Sequence, residues 1–227
     1  MILPERVWLL RHAETTAAHV FNGFESDVGL SELGYRQAAA AAQWLTAHKP
    51  TAVVSSGMIR AIDTARPLVA ATGVPHHIER DLHERKVGPM CGQSFALSEG
   101  PWADTVREWT AGNVHFTTPE AESFHEVAAR VVPAWERTVQ AHPGGRLVIV
   151  AHGIVVKVLL LSILHGWDAT GWVKLGRVAN LAVTELTPGD AGLWQPGQHL
   201  LHVPESIACL EQAHYLADHA KVRKSEA

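Results

Sequence analysis

VWLLRHAET, residues 7–15, joins a short apolar run to a cation and an imidazole. Four consecutive apolar residues are typical of a buried strand, and Arg11 and His12 follow where that strand ends. In open α/β sheets, ligands bind at the edge formed by the carboxyl ends of the strands. A second apolar run, Leu147–Val150, is followed by Ala151, His152 and Gly153. Two strands that each end in histidine predict a pocket containing two imidazoles.

Bulk properties favour a packed protein of the reducing cytoplasm. The chain has 227 residues, 47% of them hydrophobic, and a formal net charge of −4, which gives no reason to expect a nucleic-acid partner. The two cysteines, Cys91 and Cys209, cannot form a disulfide framework. No signal peptide or membrane span is expected, because the long apolar stretch Leu147–Leu164 is interrupted by His152, Gly153 and Lys157.

Strand-like and helix-like segments alternate along the chain, which predicts an α/β fold. We expect a three-layer α/β/α sandwich with a mostly parallel central sheet and a small cap insertion. The predicted strands are Arg6–Leu10, Thr51–Ser55, Val74–Glu79, Leu147–Val150, Leu181–Leu186 and Leu200–Val203. The predicted helices span about 31–48 with Ser31 as N-cap, 57–71 ending before Gly73, 122–141 and 153–165.

The chain is interpreted as one domain, 1–227, with two less regular parts. The first is the cap at about 85–120, which has a short helix near Trp102–Thr110 and several aromatic side chains. Those aromatics are Phe95, Trp102, Trp109 and Phe116. The second is a helical tail at about 204–227.

Two further residues could carry chemistry, and each has a simpler alternative. Arg60 lies early in a helix that follows a buried strand, where it could join Arg11 in a phosphate site. Taken alone, it is better interpreted as a surface residue paired with Asp63 or Glu84. Glu84 could protonate a leaving group at the pocket edge, or it could form a surface ion pair with Arg85 or Lys86.

Several other chemistries lack their motifs. His12-Ala13-Glu14 fits the H-x-E pattern of zinc deaminases, but no P-C-x-x-C follows, and no HExxH occurs. Gly29 and Gly34 have P-loop spacing without the Lys-Ser/Thr that should follow, and there is no GxSxG elbow. For His12 and His152 a hydrogen-bonded structural role and a metal site stay open as alternatives when each residue is considered alone.

The order of these motifs resembles the histidine phosphatase superfamily, also called the phosphoglycerate mutase-like family. The resemblance covers about Val7 to Val183. It rests on Leu10–Thr15; Asp27–Gly34 with Gln37 and Ala38; Ser55–Ala61 with Thr64 and Ala65; Leu82–Glu84 with Gly88; Glu122 and Ser123; and Ala151–Gly153.

The resemblance implies a role for each matching residue. His12 is expected to be the nucleophile that becomes phosphorylated, and Glu84 the proton donor to the leaving group. The groups expected to hold the phosphoryl oxygens are Arg11, Arg60 and His152. The substrate site is expected to include Asn22, Gly23 and Gly153. Neither a metal nor another cofactor is implied, because the arginines supply the positive charge.

Two residues depart from the family pattern. Ala13 replaces the usual glycine after the nucleophile, which is tolerable if its φ stays negative. Ala18 replaces an asparagine often found six residues after the nucleophile. One polar phosphate contact is therefore missing or supplied by another loop.

The length of the segment between Glu84 and Glu122 bears on the choice between phosphatase and mutase. It is short and aromatic, and its only Lys and Arg residues are Arg85, Lys86 and Arg107. A phosphatase is favoured, acting on a small phosphate ester with an apolar or ring-bearing group. A cofactor-dependent mutase is the alternative. An inactive binding module is less favoured because the full set of motif residues is present. A homodimer is compatible with the late strand and the tail.

Overall fold

A six-stranded sheet forms the centre of the computed structural model, which describes residues 2–94, 100–190 and 193–212. The strands are β1 Arg6–Arg11, β2 Ala52–Ser55, β3 His76–Ile78, β4 Arg146–Ala151, β5 Val183–Pro188 and β6 Trp194–Pro196. Their order across the sheet is β3-β2-β4-β1-β5-β6. The first four in that order are parallel, and β5 and β6 add antiparallel pairs at one edge. The predicted α/β class with a mostly parallel sheet is confirmed.

Helices cover both faces of this sheet. They are α1 Glu32–Thr46, α2 Ile59–Thr72, α3 Pro101–Thr110, α4 Phe124–Gln140, α5 Gly153–Ile163 and α6 Trp172–Leu175, with 3-10 turns at Arg80–Leu82, Gly88–Met90 and Ala169–Gly171. Side chains of a strand point alternately to the two faces. Trp8 and Leu10 accordingly pack in the core with α1 and α2, whereas Val7 and Leu9 pack in the core with α4 and α5. The three-layer prediction is therefore confirmed.

Local signals place several helix ends where the sequence predicts them. The Ser31 hydroxyl accepts a hydrogen bond from the Gly34 amide at 3.0 Å and caps α1. Gly73 ends α2 with φ at 68°, a conformation that favours glycine. The apolar stretch 147–164 forms β4, a tight turn and α5, as expected. Among the described helices, none has the length and apolar character needed to span a bilayer.

The end of the chain differs from the prediction. The strand expected at Leu200–Val203 is wrong: Leu201 has φ at 50°, which interrupts extended backbone, and only His202 pairs with Val183. The sixth strand is instead Trp194–Pro196, which is too short to show an alternating pattern. Residues 205–212 are helical, and the rest of the predicted tail, 213–227, lies outside the described residues, as does Phe95.

The segment between β3 and α4 places an aromatic wall beside the carboxyl ends of β1 and β4. Trp102 and Trp109 of α3 meet Trp172 of α6, with ring centroids 6.0 Å and 4.9 Å away respectively. The Arg85 guanidinium lies over the Trp102 and Trp109 rings at 5.7 Å and 5.2 Å. Trp109 is fully buried, while Trp102 faces the cavity described below.

Candidate active site

The register of two central strands brings the two predicted histidines together. Arg11 of β1 is paired with Ala151 of β4, so His12 and His152 follow at equivalent positions. Their ring centroids are 5.2 Å apart, and both side chains are buried.

The His12 ring has one nitrogen held and one left available. Nδ1 lies 2.7 Å from the Ala13 carbonyl oxygen. A carbonyl can only accept, so Nδ1 carries the proton and Nε2 keeps its lone pair. Burial, together with the charges of Arg11 and Arg60, lowers the pKa of His12 well below its ordinary value, although the bond to Ala13 opposes this. The ring is thus neutral at neutral pH.

Ala13 fits the place of the usual glycine. It is absent from the non-glycine residues with positive φ in the described chain. Its methyl group packs in the core with Leu10 and Leu30, and its amide donates to the Thr64 hydroxyl at 3.0 Å. The extra methyl group is therefore accommodated without left-handed backbone.

His152 is held from both sides. Its Nδ1 accepts a hydrogen bond from Arg60 Nε at 3.2 Å, and its Nε2 lies 2.8 Å from the Ser56 hydroxyl. An arginine Nε–H only donates, so the proton of the neutral ring lies on Nε2. Burial, with the charge of Arg60 next, lowers the pKa of His152 well below the ordinary value.

Arg60 is fully buried, so the surface ion pair considered for it is wrong. Its Nη1 donates to the Ser26 carbonyl at 2.7 Å. Its Nη2 donates to the carbonyls of Asn22 and Gly23 at 3.2 Å and 3.3 Å. One guanidinium thereby joins His152 to the loop 22–26.

Arg11 is held on one side and open on the other. Its Nη1 donates to the Val178 carbonyl at 2.8 Å. Within the described parts of the chain, its buried Nε has no hydrogen-bond acceptor. A Cβ atom added to Gly153 would lie 3.5 Å from that Nε, so Arg11 borders the N-terminus of α5. Burial lowers the pKa of Arg11 to about 10, although the charge of Glu84 opposes the shift.

Glu84 lies across the same helix end. One carboxylate oxygen accepts from the Arg85 amide at 2.9 Å and the other from the Ile154 amide at 3.4 Å. The Arg85 guanidinium turns away and donates through Nε to the Glu122 carbonyl at 2.6 Å. The structure therefore does not show the side-chain ion pair considered for Glu84 and Arg85.

Arg130, which the sequence did not single out, organises the backbone before Glu84. Its Nη1 donates to the carbonyls of Asp81 and His83 at 2.7 Å and 2.8 Å. Its Nε forms an ion pair with Glu122 at 2.8 Å. Burial acts to raise the pKa of Glu122, but the hydrogen bond and charge of Arg130 outweigh it and lower the pKa.

These groups surround a cavity of about 500 Å³. Five of the eight residues expected in the site line it, namely Arg11, His12, Asn22, Glu84 and Gly153. The other three, Gly23, Arg60 and His152, lie behind the lining. Thr15 of the first motif also lines the cavity. So do residues that the sequence did not single out, among them Phe21, Lys157, Trp172, Arg177 and Asn180. Of these, only Lys157 could be recognised in the sequence, as a single charged residue in an apolar helix.

A metal centre finds no support in the described residues, which contain no group of three or more His, Cys, Asp or Glu side chains placed to hold an ion. The alternative of a hydrogen-bonded histidine accounts for one nitrogen of His12 and for both nitrogens of His152.

Residues 7–196 match the sequence profile of the histidine phosphatase superfamily, branch 1. The chain belongs to this superfamily. It is 32% identical over 202 residues to glucosyl-3-phosphoglycerate phosphatase of Mycobacterium tuberculosis, covering 85% of this chain and 87% of that protein. It is 33% identical over 181 residues to a metal-independent phosphoserine phosphatase of Arabidopsis thaliana, covering 77% and 73%.

A solved structure extends the likeness to the fold. The native mycobacterial glucosyl-3-phosphoglycerate phosphatase superposes with a TM-score of 0.75 at 28% identity, covering 88% of this chain and 99% of the other. Some mycobacterial relatives that are 33% identical over 185 residues are longer, and the chain spans 50% of their length.

Proposed function

We propose that this chain is a metal-independent phosphomonoester hydrolase that acts through a phosphohistidine on a small phosphorylated metabolite. The observation that carries the proposal is the bond from His12 Nδ1 to the Ala13 carbonyl, which leaves Nε2 as a neutral nucleophile in a cavity wall beside Arg11. The similarity to two phosphatases supports the same reaction class.

The first step transfers the phosphoryl group to the enzyme. The His12 Nε2 lone pair forms a bond to phosphorus as the bond from phosphorus to the ester oxygen breaks. Glu84 gives its proton to the departing oxygen, so the product is a neutral alcohol. In the second step Glu84 takes a proton from water, the water oxygen bonds to phosphorus, and the N–P bond breaks. His12 and Glu84 return to their starting states.

Positive charge must face the three phosphoryl oxygens during both steps. We assign direct contact to Arg11, which lines the cavity, and to the N-terminus of α5 at Gly153, because guanidinium groups and helix N-termini bind phosphate. Arg60 and His152 lie one layer behind. In this proposal they supply charge and hold the loop 22–26 that carries Asn22 and Gly23.

Water is the proposed acceptor because the described part of the cap, 85–94 and 100–120, gives the cavity few polar groups. From these residues, Val87, Trp102 and Val106 line the cavity. A mutase would need groups there to retain a bisphosphorylated intermediate. Four expectations from the sequence stay predictions: the cap at 85–120, a single domain over 1–227, a cytoplasmic location and a homodimer.

Replacing the nucleophile tests the reaction class. His12→Ala should lower hydrolysis of p-nitrophenyl phosphate in EDTA by at least about 10³-fold, since the covalent route is lost. His165→Ala, at an exposed histidine after α5, is the matched control and should keep full activity. Radioactive phosphate should label the wild type and His165→Ala through an acid-labile bond. This label should be absent in His12→Ala.

Three results would contradict the proposal. The first is full activity in His12→Ala, and the second is a wild type that is inactive on p-nitrophenyl phosphate in EDTA. The third is isomerisation of 3-phosphoglycerate, stimulated by 2,3-bisphosphoglycerate, at a rate above that of hydrolysis. The third result would establish the mutase alternative.

A further inference from the structure

A buried lysine in the cavity wall has no part in the steps above. Lys157 lies in α5, whose other buried side chains are apolar, and only 8% of it is exposed. Its Nζ donates to the Gly176 carbonyl at 2.7 Å and lies 4.4 Å from the centroid of the Trp172 ring. The carbonyl and the ring hold the ammonium in place at the cavity surface.

This ammonium has no counter-charge within the described parts of the chain. Over residues 2–94, 100–190 and 193–212, no carboxylate lies within 4.0 Å of Lys157 Nζ. Burial alone lowers the pKa of Lys157 to about 8. A buried charge without a partner is unfavourable, and such groups are frequent at binding sites. An ammonium has three donors, and the Gly176 carbonyl accepts only one of them.

The position of Lys157 relates it to the phosphate site. It follows Gly153 by four residues, so the two lie on one face of α5, about 6 Å apart along the helix axis. Arg177, an exposed residue after α6, lines the same cavity. Arg11 is already assigned to the phosphoryl group, which leaves these two cations of the lining for the leaving group.

Building on the proposed function, we propose that Lys157 binds a carboxylate on the substrate's leaving group, with Arg177 assisting at the rim. The substrates are then phosphomonoesters of small alcohols that carry a carboxylate near the ester oxygen. An ion pair with this carboxylate supplies the counter-charge that the described residues do not offer Lys157. Trp102 and Trp172 enclose the carbon atoms between the two anionic groups.

A pair of esters isolates the carboxylate. 3-Phosphoglycerate carries a carboxylate at the position where glycerol 3-phosphate carries a hydroxymethyl group. The wild type should show the higher kcat/KM on 3-phosphoglycerate. Lys157→Met should lower kcat/KM on this ester at least about tenfold more than on glycerol 3-phosphate, mainly through KM, because one charge-assisted hydrogen bond is lost.

Two further variants sharpen the comparison. Arg177→Met should reduce the preference for 3-phosphoglycerate in the same direction, and as an exposed residue it does not depend on repacking the core. Lys174→Met is the matched control: Lys174 also lies over a tryptophan ring, Trp167 at 5.0 Å, but outside the cavity lining, and its removal should leave both rates unchanged.

The outcomes separate this inference from the function on which it rests. Equal losses on both esters in Lys157→Met would assign Lys157 to the phosphoryl group or to folding and overturn the carboxylate site. A wild type that hydrolyses p-nitrophenyl phosphate but shows no preference for 3-phosphoglycerate would also overturn it while leaving the phosphatase intact. Inactivity on all three esters would overturn both.

Discussion

His12 and His152 have different hydrogen-bond partners, and the partners determine which ring nitrogen of each carries the proton. Ala13 offers His12 an acceptor at Nδ1, whereas Arg60 offers His152 a donor at the same atom. The two rings are therefore expected in opposite tautomers. Only the tautomer of His12 leaves Nε2 unprotonated for attack on phosphorus.

Long-range ¹H–¹⁵N correlation spectra can test this assignment. At pH 7 His12 should show Nδ1–H with a bare Nε2, and His152 should show Nε2–H with a bare Nδ1. Because the pKa of each ring is lowered well below 6.5, both patterns should persist as the pH falls to about 6. The variants His12→Asn and His152→Asn identify the signals of each ring, because each variant removes one imidazole. A bare Nδ1 on His12 would contradict the proposed nucleophile.

The sequence predicts the residues that stand in motifs and misses those that approach from elsewhere. Arg11, His12 and His152 are recognisable because each lies at or just after the end of a strand. Asn180, which donates to the His12 carbonyl at 3.0 Å, follows no strand and precedes Leu181, whose φ of 53° no pattern indicates. Lys157 is visible only as an interruption in an apolar helix, which is also what a solvent-reaching lysine would look like.

The loop between β1 and α1 connects the buried arginine to the cavity. Its carbonyls at Asn22, Gly23 and Ser26 accept from Arg60, and Asn22 lines the cavity. The loop passes close to the backbone at Arg85, and Gly23 is the point of contact. The shape of this loop therefore depends on a residue without a side chain.

Gly23→Ala tests that dependence. A Cβ at Gly23 would meet the Glu25 carboxylate, Val87 Cγ2 at 2.6 Å and the Arg85 carbonyl at 2.9 Å, so the loop must shift. We expect kcat/KM to fall at least about tenfold and the free energy of unfolding to fall by about 1–3 kcal/mol. Steady-state kinetics and urea unfolding measure both effects.

Gly29→Ala is the control for the same loop. A Cβ there meets nothing within 4 Å, and the φ of Gly29 is outside the left-handed region. This variant should behave as the wild type does. If Gly23→Ala were also neutral, the shape of the loop would not depend on Gly23.

Elements with a clear period or cap were predictable, and short irregular ones were not. The strands β1, β2 and β4 are apolar runs, and α1 begins at a serine cap. In contrast, β6 has three residues, pairs with the end of β5 and forms an isolated bridge from Trp194 to Leu164. Its existence depends on a tertiary contact rather than on local preference.

At the scale of the whole molecule, the parallel strands β1 and β4 place the two imidazoles at the carboxyl edge of the sheet that separates the two cores. The burial of these two imidazoles has a thermodynamic consequence. The native state holds His12 and His152 neutral, whereas in the unfolded chain each takes up a proton near its ordinary pKa of about 6.5. Folding stability is then linked to pH through both residues.

The sign of that linkage follows from the direction of the shifts. Below about pH 6.5 the unfolded chain binds more protons than the native protein, so the free energy of unfolding must fall as the pH decreases. Each of His12 and His152 contributes up to about 1.4 kcal/mol per pH unit in this window. His48, His76 and His83, whose pKa values are also lowered by burial, act in the same direction but are more exposed. The lowered pKa values of Glu122 and Glu126 add a further loss only below about pH 4.5.

Urea unfolding in phosphate-free buffer at pH 7.5 and 5.5 measures the effect without a ligand that binds the native site. The wild type should lose about 2–3 kcal/mol between the two values. The double variant His12→Asn, His152→Asn will differ from the wild type in absolute stability. Its free energy of unfolding should nevertheless fall less than that of the wild type between pH 7.5 and 5.5, because it lacks two of the linked groups. A wild type equally stable at both values, or a double variant with an unchanged loss, would show that burial does not hold these imidazoles neutral. The neutral nucleophile proposed for catalysis would then lose its physical basis.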